Sequence, residues 1–269
     1  MKAGNSPLID KTLKTKKIFF FDLDGTIYLG DRLLPGARKT LSILEEKGIA
    51  FYFLSNNSSR SKQDYVEKLS GLGIKTTTER ILLSTDGVIA YLKNRKTTNL
   101  YIVGTRSMIK MFAEAGFETA SPNPRYVILG YDTELDYEKI KRAALLLQEG
   151  AELLATHPDF VCPTPKGPVP DVGSFLAMFK SATGISPVKI FGKPHTAMVE
   201  HILRSHGVSA DEVVMVGDRL YTDKKLADNL GCDFICVLSG ETKRRDIEKL
   251  KDPPALTVEN VGHLAEIIE

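Results

Sequence analysis

Continuous apolar runs, each followed by a segment of helical periodicity, dominate the hydrophobic pattern of this chain. The runs at 18–21, 49–54 and 213–216 contain no alternating polar positions, which is typical of strands covered on both faces of a parallel sheet. Apolar positions spaced by three and four residues predict helices over 36–47 and 62–70, and a glycine follows each of them. This order of strands and helices indicates βαβ units with right-handed crossovers.

A second pattern of the same kind occupies the long stretch between the strand at 49–54 and position 186. Strands and helices are predicted there, in order, at 100–103, 107–115, 126–129, 137–147, 152–155 and 173–183. A single crossover needs far fewer residues, so this stretch must form a domain of its own. Elements expected at 196–206, 222–230, 234–238 and beyond Val261 then complete the first pattern.

The predicted fold class is therefore α/β, with a three-layer, Rossmann-like core around a parallel sheet and a large inserted α/β domain. The discontinuous core is expected over 1–80 and 186–269, and the inserted domain over 81–185. Polar residues that follow the core strands then meet at one edge of the sheet, where such sheets bind ligands.

Composition narrows the classes of partner. The 269 residues carry a net charge of +2, which is too small to indicate binding to nucleic acid or to a membrane surface. No apolar segment approaches the roughly 18 residues of a membrane span, and the lysine-rich N-terminal stretch has no apolar core of signal-peptide length. The three cysteines lack metal-type spacing. We expect a cytoplasmic protein with reduced thiols and a small-molecule partner.

Two carboxylates follow the first strand directly. Segment 22–26 reads Asp-Leu-Asp-Gly-Thr, so Asp22 and Asp24 emerge at the carboxyl edge of the predicted sheet. Their mutual repulsion requires a cation or a shared proton, and a hard divalent ion prefers oxygen ligands. An ordinary turn is the alternative. A calcium loop is excluded, because Asp31 stands where such a loop needs glutamate.

Three further segments carry polar side chains that could act at the same site. Segment 55–58 (Ser-Asn-Asn-Ser) ends the second strand and offers hydroxyl and amide donors for a phosphoryl group, or else a turn. Lys193 stands between glycine and proline, as a fixed ammonium or a surface charge. Asp218 and Asp223 follow the strand at 213–216, so two acidic strand ends can converge on one metal; capping of a helix is the alternative.

With these segments in order, the chain resembles the haloacid dehalogenase (HAD) superfamily of phosphatases. Within it, the chain is similar to the NagD-type, para-nitrophenylphosphatase-like branch, which carries a large class IIA cap after its second motif. The matching motifs are 22–26, 55–57, 192–194 and 217–223, and the resemblance covers almost the whole chain. The inserted domain then corresponds to the cap.

The resemblance implies a mechanism that depends on magnesium. Asp22 would attack phosphorus and become an aspartyl phosphate, while Asp24 would protonate the leaving group and then accept a proton from water. Asp22, Asp218 and the backbone carbonyl of Asp24 would bind Mg²⁺. Asp223 would lie outside the metal's direct ligands and orient water and Lys193, unless it only compensates a helix dipole.

The resemblance also assigns residues to the phosphoryl group and to the substrate. Lys193, the hydroxyl of Ser55 and the backbone of Asn56 and Asn57 would hold phosphoryl oxygens. Segment 155–163 is similar to a specificity segment of the cap.

Four positions in or beside that segment depart from the branch's pattern or have an open role. Asparagine is frequent in the branch at the place of His157, and Asp171 replaces a common glycine, where a helix cap is expected. For His157, Asp159 and Cys162, loop structure and substrate contact stay open.

Other functions remain as alternatives. A phosphomutase would keep Asp24, whereas a dehalogenase would not need it, and a non-enzymatic phosphoacceptor would carry no cap. The expected substrate is a small phosphorylated metabolite, of the sugar phosphate or nucleotide type, with para-nitrophenyl phosphate as a model compound. Monomer and homodimer are equally compatible with the sequence.

Overall fold

The computed structural model describes residue 13, residues 15–164 and residues 166–269. In chain order, its strands are β1 (Ile18–Asp22), β2 (Tyr28–Leu29), β3 (Arg32–Leu33), β4 (Ala50–Ser55), β5 (Ile81–Leu83), β6 (Leu100–Val103), β7 (Tyr126–Leu129), β8 (Glu152–Ala155), β9 (Val161–Cys162), β10 (Val169–Pro170), β11 (Lys189–Ile190), β12 (Val213–Gly217), β13 (Asp233–Val237) and β14 (Leu256–Val258).

The α-helices alternate with these strands. They are α1 (Ala37–Glu46), α2 (Lys62–Gly71), α3 (Ser84–Asn94), α4 (Arg106–Glu114), α5 (Tyr137–Gln148), α6 (Val172–Thr183), α7 (Glu200–His206), α8 (Lys225–Leu230), α9 (Arg244–Ile247) and α10 (Gly262–Ile268). Among the described residues, no helix combines the length and the hydropathy needed to cross a bilayer.

The chain divides into two compact units. One contains the described residues up to Leu54, together with Val66–Leu82 and Pro194–Glu269, and the other contains Ser55–Tyr65 and Leu83–Lys193. Each unit has a parallel sheet between helices, so the predicted α/β class is confirmed.

The first unit is built on a six-stranded sheet with the order β14-β13-β12-β1-β4-β5. Strand β1 lies between β12 and β4 and pairs with both in parallel. Because its two faces are covered, all five of its residues are buried, and this burial explains the uninterrupted apolar run. The register sets Asp22 opposite Leu54, so the acidic end of β1 lies at the carboxyl edge of the sheet.

The second unit is built on a four-stranded sheet with the order β11-β8-β7-β6. Alternate residues of β7 enter separate apolar clusters. Tyr126 and Ile128 pack in one, and Val127 and Leu129 pack in the other. Side chains alternate between the two faces of a strand, so both faces of this sheet are covered as well.

The predicted boundaries between the units differ from the observed ones at two short strands, which join a different sheet from the one expected. Strand β5 joins the first sheet, although its residues were expected to begin the inserted domain. Strand β11 pairs with β8 in the second sheet, although it was expected in the core. Runs of two or three residues are too short to show a period, so the sequence analysis missed both strands, and it also missed α3 and β14.

Two predicted helices are interrupted near their starts. The helix expected over 196–206 begins with a separate 3₁₀ turn, and α7 follows only after Val199, whose φ of −112° lies outside the usual helical range near −63°. The helix expected over 222–230 begins as a π-turn at Leu220–Lys224 and continues as α8. Such π-turns occur frequently at functional sites.

Neighbouring lysines at the start of β1 provide a test of the first unit. Lys16 is buried and pairs with Asp233 at 2.6 Å, and its ammonium also donates to the carbonyl of Asp211. Lys17 is exposed and pairs with Glu212. We expect Lys16→Met to lower the free energy of unfolding by ~2 kcal/mol, because it removes a buried ammonium that joins the Asp233 carboxylate to the Asp211 carbonyl.

The matched control is Lys17→Met, for which we expect a loss below ~0.5 kcal/mol, as is usual for exposed ion pairs. Urea unfolding of both variants, followed by circular dichroism, measures the difference. Equal losses would contradict the placement of Lys16 in the interior.

Candidate active site

Three carboxylates meet at the ends of β1 and β12. The parallel register sets Phe21 opposite Val216, so that the residues just beyond this pair, Asp22 and Asp218, emerge at the same edge. Asp223 joins them from the π-turn that follows. The carboxylate oxygens of the three residues lie within 4.8 Å of one another, and all three side chains are buried. The geometry therefore brings together the acidic strand ends that the sequence singled out.

The electrostatics of this cluster are unfavourable without a cation. Burial raises the pKa of Asp218 well above its usual range, and the charges of Asp22 and Asp223 raise it further. The Oδ2 atom of Asp218 accepts the backbone N–H of Glu241 at 2.6 Å, whereas its buried Oδ1 atom has no hydrogen-bond partner within the described residues. A buried carboxylate oxygen of this kind, among further carboxylates, fits a hard divalent cation.

Asp223 lies within the π-turn and is held by the main chain of the residue just before that turn. Its Oδ2 atom accepts the N–H of Arg219 at 3.1 Å, and its own N–H donates to the carbonyl of the same residue. The carboxylate thus lies beside the acidic cluster in a fixed orientation. It lies in the π-turn that runs directly into α8, so compensation of a helix dipole stays the alternative to a role beside a metal.

Three glycines lie against these carboxylates, at positions where a side chain would occupy the same space. A Cβ atom on Gly25 would lie 2.6 Å from Oδ2 of Asp218, and one on Gly240 would lie 1.9 Å from it. A Cβ atom on Gly217 would lie 2.4 Å from Oδ2 of Asp223. Gly240 was not singled out from the sequence; its place three residues after the apolar strand β13 was the available signal.

Asp24 has a different environment from Asp22. A tight turn, closed by a hydrogen bond from Gly25 N to Tyr28 O, returns the chain so that the Tyr28 hydroxyl donates to Oδ2 of Asp24 at 3.3 Å. The Lys68 ammonium lies 3.7 Å from the centre of the Tyr28 ring. Burial raises the pKa of Asp24, and the charge of Lys68 opposes part of this effect. The sequence analysis missed Tyr28 and Lys68, since neither belongs to a motif.

The second motif forms a compact, hydrogen-bonded turn. The Ser55 hydroxyl contacts the Tyr65 hydroxyl at 3.2 Å and accepts the N–H of Asn57. The side-chain Oδ1 atom of Asn57 accepts the N–H and the hydroxyl of Ser59. These bonds fix the main chain of the turn, which is the part expected to hold phosphoryl oxygens.

The structure joins the second and third motifs through a side chain that was expected to act only through its backbone. Asn56 Oδ1 accepts the N–H of Lys193 at 2.7 Å, and Asn56 Nδ2 donates to the carbonyl of Lys193 at 3.0 Å. Both residues are buried. We call this pair of hydrogen bonds the amide clip.

The two positions that depart from the usual pattern of the branch contact each other. His157 is fully buried, and its Nε2 atom lies 2.9 Å from Oδ1 of Asp171. Its Nδ1 atom lies 2.9 Å from the Thr156 hydroxyl. Asp171 also accepts the N–H of Val172 at the start of α6, which confirms the expected helix cap. His157 thus uses both ring nitrogens within the protein.

The other two candidates of the specificity segment lie close to His157 in sequence. Asp159 is buried, and its carboxylate accepts the amide of Asn56. Cys162 is half-buried in β9, opposite Val169 of β10. Contact of His157, Asp159 or Cys162 with a substrate stays a prediction.

Known proteins with this architecture are similar to the chain over its full length. Residues 19–118 match the haloacid dehalogenase-like hydrolase family, and residues 190–264 match a HAD-hydrolase-like family. The structure of 4-nitrophenylphosphatase from Thermotoga maritima has a TM-score of 0.92 and 40% identity, with 96% of this chain and 99% of that chain covered. The 5′-nucleotidase YutF of Bacillus subtilis is 30% identical over 93% of this chain and 97% of its own length. The acid sugar phosphatase of Staphylococcus aureus is 30% identical over 95% and 99%.

Together with these similarities, the fold and the two acidic strand ends define the protein as a phosphoric monoester hydrolase. The chain belongs to the haloacid dehalogenase-like hydrolases, in the NagD-type, para-nitrophenylphosphatase-like branch. The resemblance recognised from the four motifs is thereby confirmed.

The repulsion within the acidic cluster predicts that Asp218→Asn affects the melting temperature in opposite ways without and with added metal. In metal-free protein, Asp218→Asn should raise the melting temperature, because it removes one of three buried charges. In the unaltered protein, MgCl₂ at about a hundredfold above its dissociation constant should raise that temperature by roughly 5–8 °C. The variant should lose this increment.

Differential scanning calorimetry after chelation and after addition of MgCl₂ measures both effects. Asp211→Asn, an exposed carboxylate before the same strand, is the matched control and should keep the increment. Stabilisation of Asp218→Asn by MgCl₂ as large as that of the parent would contradict a metal site here.

The clearance at Gly240 predicts a steric effect on the same site. Gly240→Ala should displace the Asp218 carboxylate and lower phosphatase turnover by roughly 10–100-fold, since displacements of about 1 Å are costly in active sites. Gly71→Ala meets no atom within 4 Å and lies at the end of a helix, so it should leave turnover unchanged. Steady-state kinetics of the two variants tests this; full activity of Gly240→Ala would contradict it.

Proposed function

We propose that this protein is a magnesium-dependent phosphatase that hydrolyses small cytosolic phosphomonoesters through an aspartyl-phosphate intermediate. The observation that carries the proposal is the buried cluster of Asp22, Asp218 and Asp223, with Asp24 two residues from the first of them. Buried carboxylates that repel one another suit a site that binds a cation together with an anionic phosphoryl group.

In the proposed reaction, Asp22 and Asp24 act in sequence. An oxygen of Asp22 attacks phosphorus in line and forms the acyl-phosphate bond as the ester oxygen leaves with its electron pair. Asp24 gives its proton to that oxygen. It then accepts a proton from the water that attacks the phosphoryl group, which frees Asp22 and releases phosphate. The raised pKa of Asp24 suits a group that must hold a proton and later recover one.

Three oxygens are proposed to hold Mg²⁺: the carboxylates of Asp22 and Asp218 and the backbone carbonyl of Asp24. The bound ion supplies positive charge that offsets the repulsion between the carboxylates and the phosphoryl oxygens. Asp223 is proposed to stabilise this arrangement through water and the neighbouring main chain.

The phosphoryl oxygens are proposed to be held by Lys193, the Ser55 hydroxyl and the backbone N–H groups of Asn56 and Asn57. The fixed turn at Ser55 and the amide clip support this role, because groups that are already ordered lose little entropy when they bind.

We propose sugar phosphates and nucleoside monophosphates as the substrate classes. The similar proteins named above are a 4-nitrophenylphosphatase, a sugar phosphatase and a 5′-nucleotidase, so a free phosphomonoester is their common feature. The inserted domain, with the segment around His157, Asp159 and Cys162, is proposed to select among these compounds. Phosphate release from a panel of sugar phosphates and nucleotides identifies the class.

The two carboxylates of the motif predict different kinetic phenotypes with para-nitrophenyl phosphate. Asp22→Asn should abolish turnover, because no phosphoenzyme forms. Asp24→Asn should lower turnover by about 10²–10⁴-fold, yet it should still release nitrophenol in a burst equal to the enzyme concentration, since this leaving group needs little protonation.

Rapid-quench kinetics in the presence of MgCl₂ measures both phenotypes. Full activity of Asp22→Asn would reject the nucleophile. Phosphate appearing on a second sugar hydroxyl, with none released, would indicate a phosphomutase. A phosphoenzyme that persists for minutes in the parent protein would indicate a phosphoacceptor.

A further inference from the structure

The amide clip holds both hydrogen-bonding groups of the Lys193 main chain. The two residues are 137 positions apart, and their bonds of 2.7 and 3.0 Å are the direct link between the second and third motifs. A carboxamide carries a donor and an acceptor side by side. Asn56 therefore matches an N–H and a C=O group of one residue at the same time.

Asp159 determines which way the Asn56 amide faces. The Nδ2 atom of Asn56 lies 3.3 and 3.4 Å from the two carboxylate oxygens of Asp159. One amide proton thus faces the Lys193 carbonyl and the other faces a carboxylate. A rotated amide would set its oxygen against both acceptors, and this repulsion excludes the alternative orientation.

The surroundings leave the clip little freedom to move. Gly192 has a φ of +72°, and a Cβ atom there would lie 2.6 Å from Oδ1 of Asn56. On the other side, the carbonyl of Asp159 accepts the N–H of Gly173 in the first turn of α6 at 2.8 Å. A Cβ atom on Gly173 would lie 2.5 Å from the carbonyl of Pro158. Close backbone contacts thus fix Asp159, and Asp159 orients Asn56.

We propose that Asn56 and Asp159 are positioning residues for Lys193. The Asn56 side chain holds the main chain from which the lysine extends, and the Asp159 carboxylate keeps that amide in its working orientation. Asp159 then serves the chemical step from within the specificity segment, through Asn56 and Lys193. This inference rests on the proposed binding of the phosphoryl group by Lys193.

A double-mutant cycle on the full chain tests the proposal. Asn56→Ala should lower kcat for para-nitrophenyl phosphate by roughly 10–100-fold, and Asp159→Asn by roughly 3–10-fold. In the background of Lys193→Met, neither substitution should lower kcat by more than about twofold, since both act through the lysine. A merely structural role would lower kcat by the same factor in both backgrounds.

Affinity for inorganic phosphate provides a second measurement in case the Lys193→Met variant turns over too slowly. Isothermal titration calorimetry should show that Asn56→Ala and Lys193→Met each weaken phosphate binding, and that the double variant binds no more weakly than Lys193→Met. Asp132→Asn is the control: this aspartate is buried in the same unit and pairs with Lys139 at 2.8 Å. It should lower the melting temperature and leave kcat and phosphate affinity unchanged.

A charge exchange tests the orientation of the amide. Asn56→Asp sets a second carboxylate about 3.3 Å from Asp159 and should lower kcat more than Asn56→Ala does. Adding Asp159→Asn to it restores a donor between the two side chains and should recover part of kcat. Absence of any recovery would overturn the proposed role of Asp159.

Two results separate this inference from the function on which it rests. Wild-type kcat in Lys193→Met would overturn the phosphate-binding role of the lysine, and with it the inference. Loss of activity in Lys193→Met, with full kcat in Asn56→Ala and Asp159→Asn, would overturn the positioning role alone. Independent, multiplicative losses in the cycle would have the same meaning.

Discussion

The mutual repulsion of Asp22, Asp218 and Asp223 is the constraint on which the first unit depends. Three buried carboxylates within 4.8 Å of one another oppose folding unless a cation or a proton joins them. The sheet places them there because β1 and β12 run in parallel and end at the same level. Glycines on three separate segments leave room for these carboxylates, because a side chain at any of the three positions would collide with Asp218 or Asp223.

Asp22 and Asp24 differ in environment although only Leu23 separates them. Asp22 ends a central strand and joins the acidic cluster, whereas Asp24 enters a turn that returns Tyr28 to its carboxylate. Burial raises the pKa of Asp24. The positive charge of Lys68, whose ammonium lies over the Tyr28 ring, lowers that pKa and so opposes part of the increase. These environments suit the roles proposed for the two carboxylates, nucleophile for Asp22 and proton donor for Asp24.

The second unit connects its specificity segment to the expected phosphate-binding groups through hydrogen bonds. His157 and Asp171, which depart from the common pattern of the branch, contact each other at 2.9 Å and tie the segment to the start of α6. Asp159 continues the connection to Asn56, and Asn56 to Lys193. The hydrogen bonds thus link this segment to the main chain of Lys193.

The sequence by itself determined the alternation of strands and helices and the acids at the strand ends, because these follow from local periodicity and chain order. It did not reveal β5, β11 or the π-turn before α8, since two to five residues carry no measurable period. Nor did it reveal Gly240 beside Asp218, or the amide clip. Those contacts join residues far apart in the chain, and only the tertiary fold within each unit decided which side chains meet.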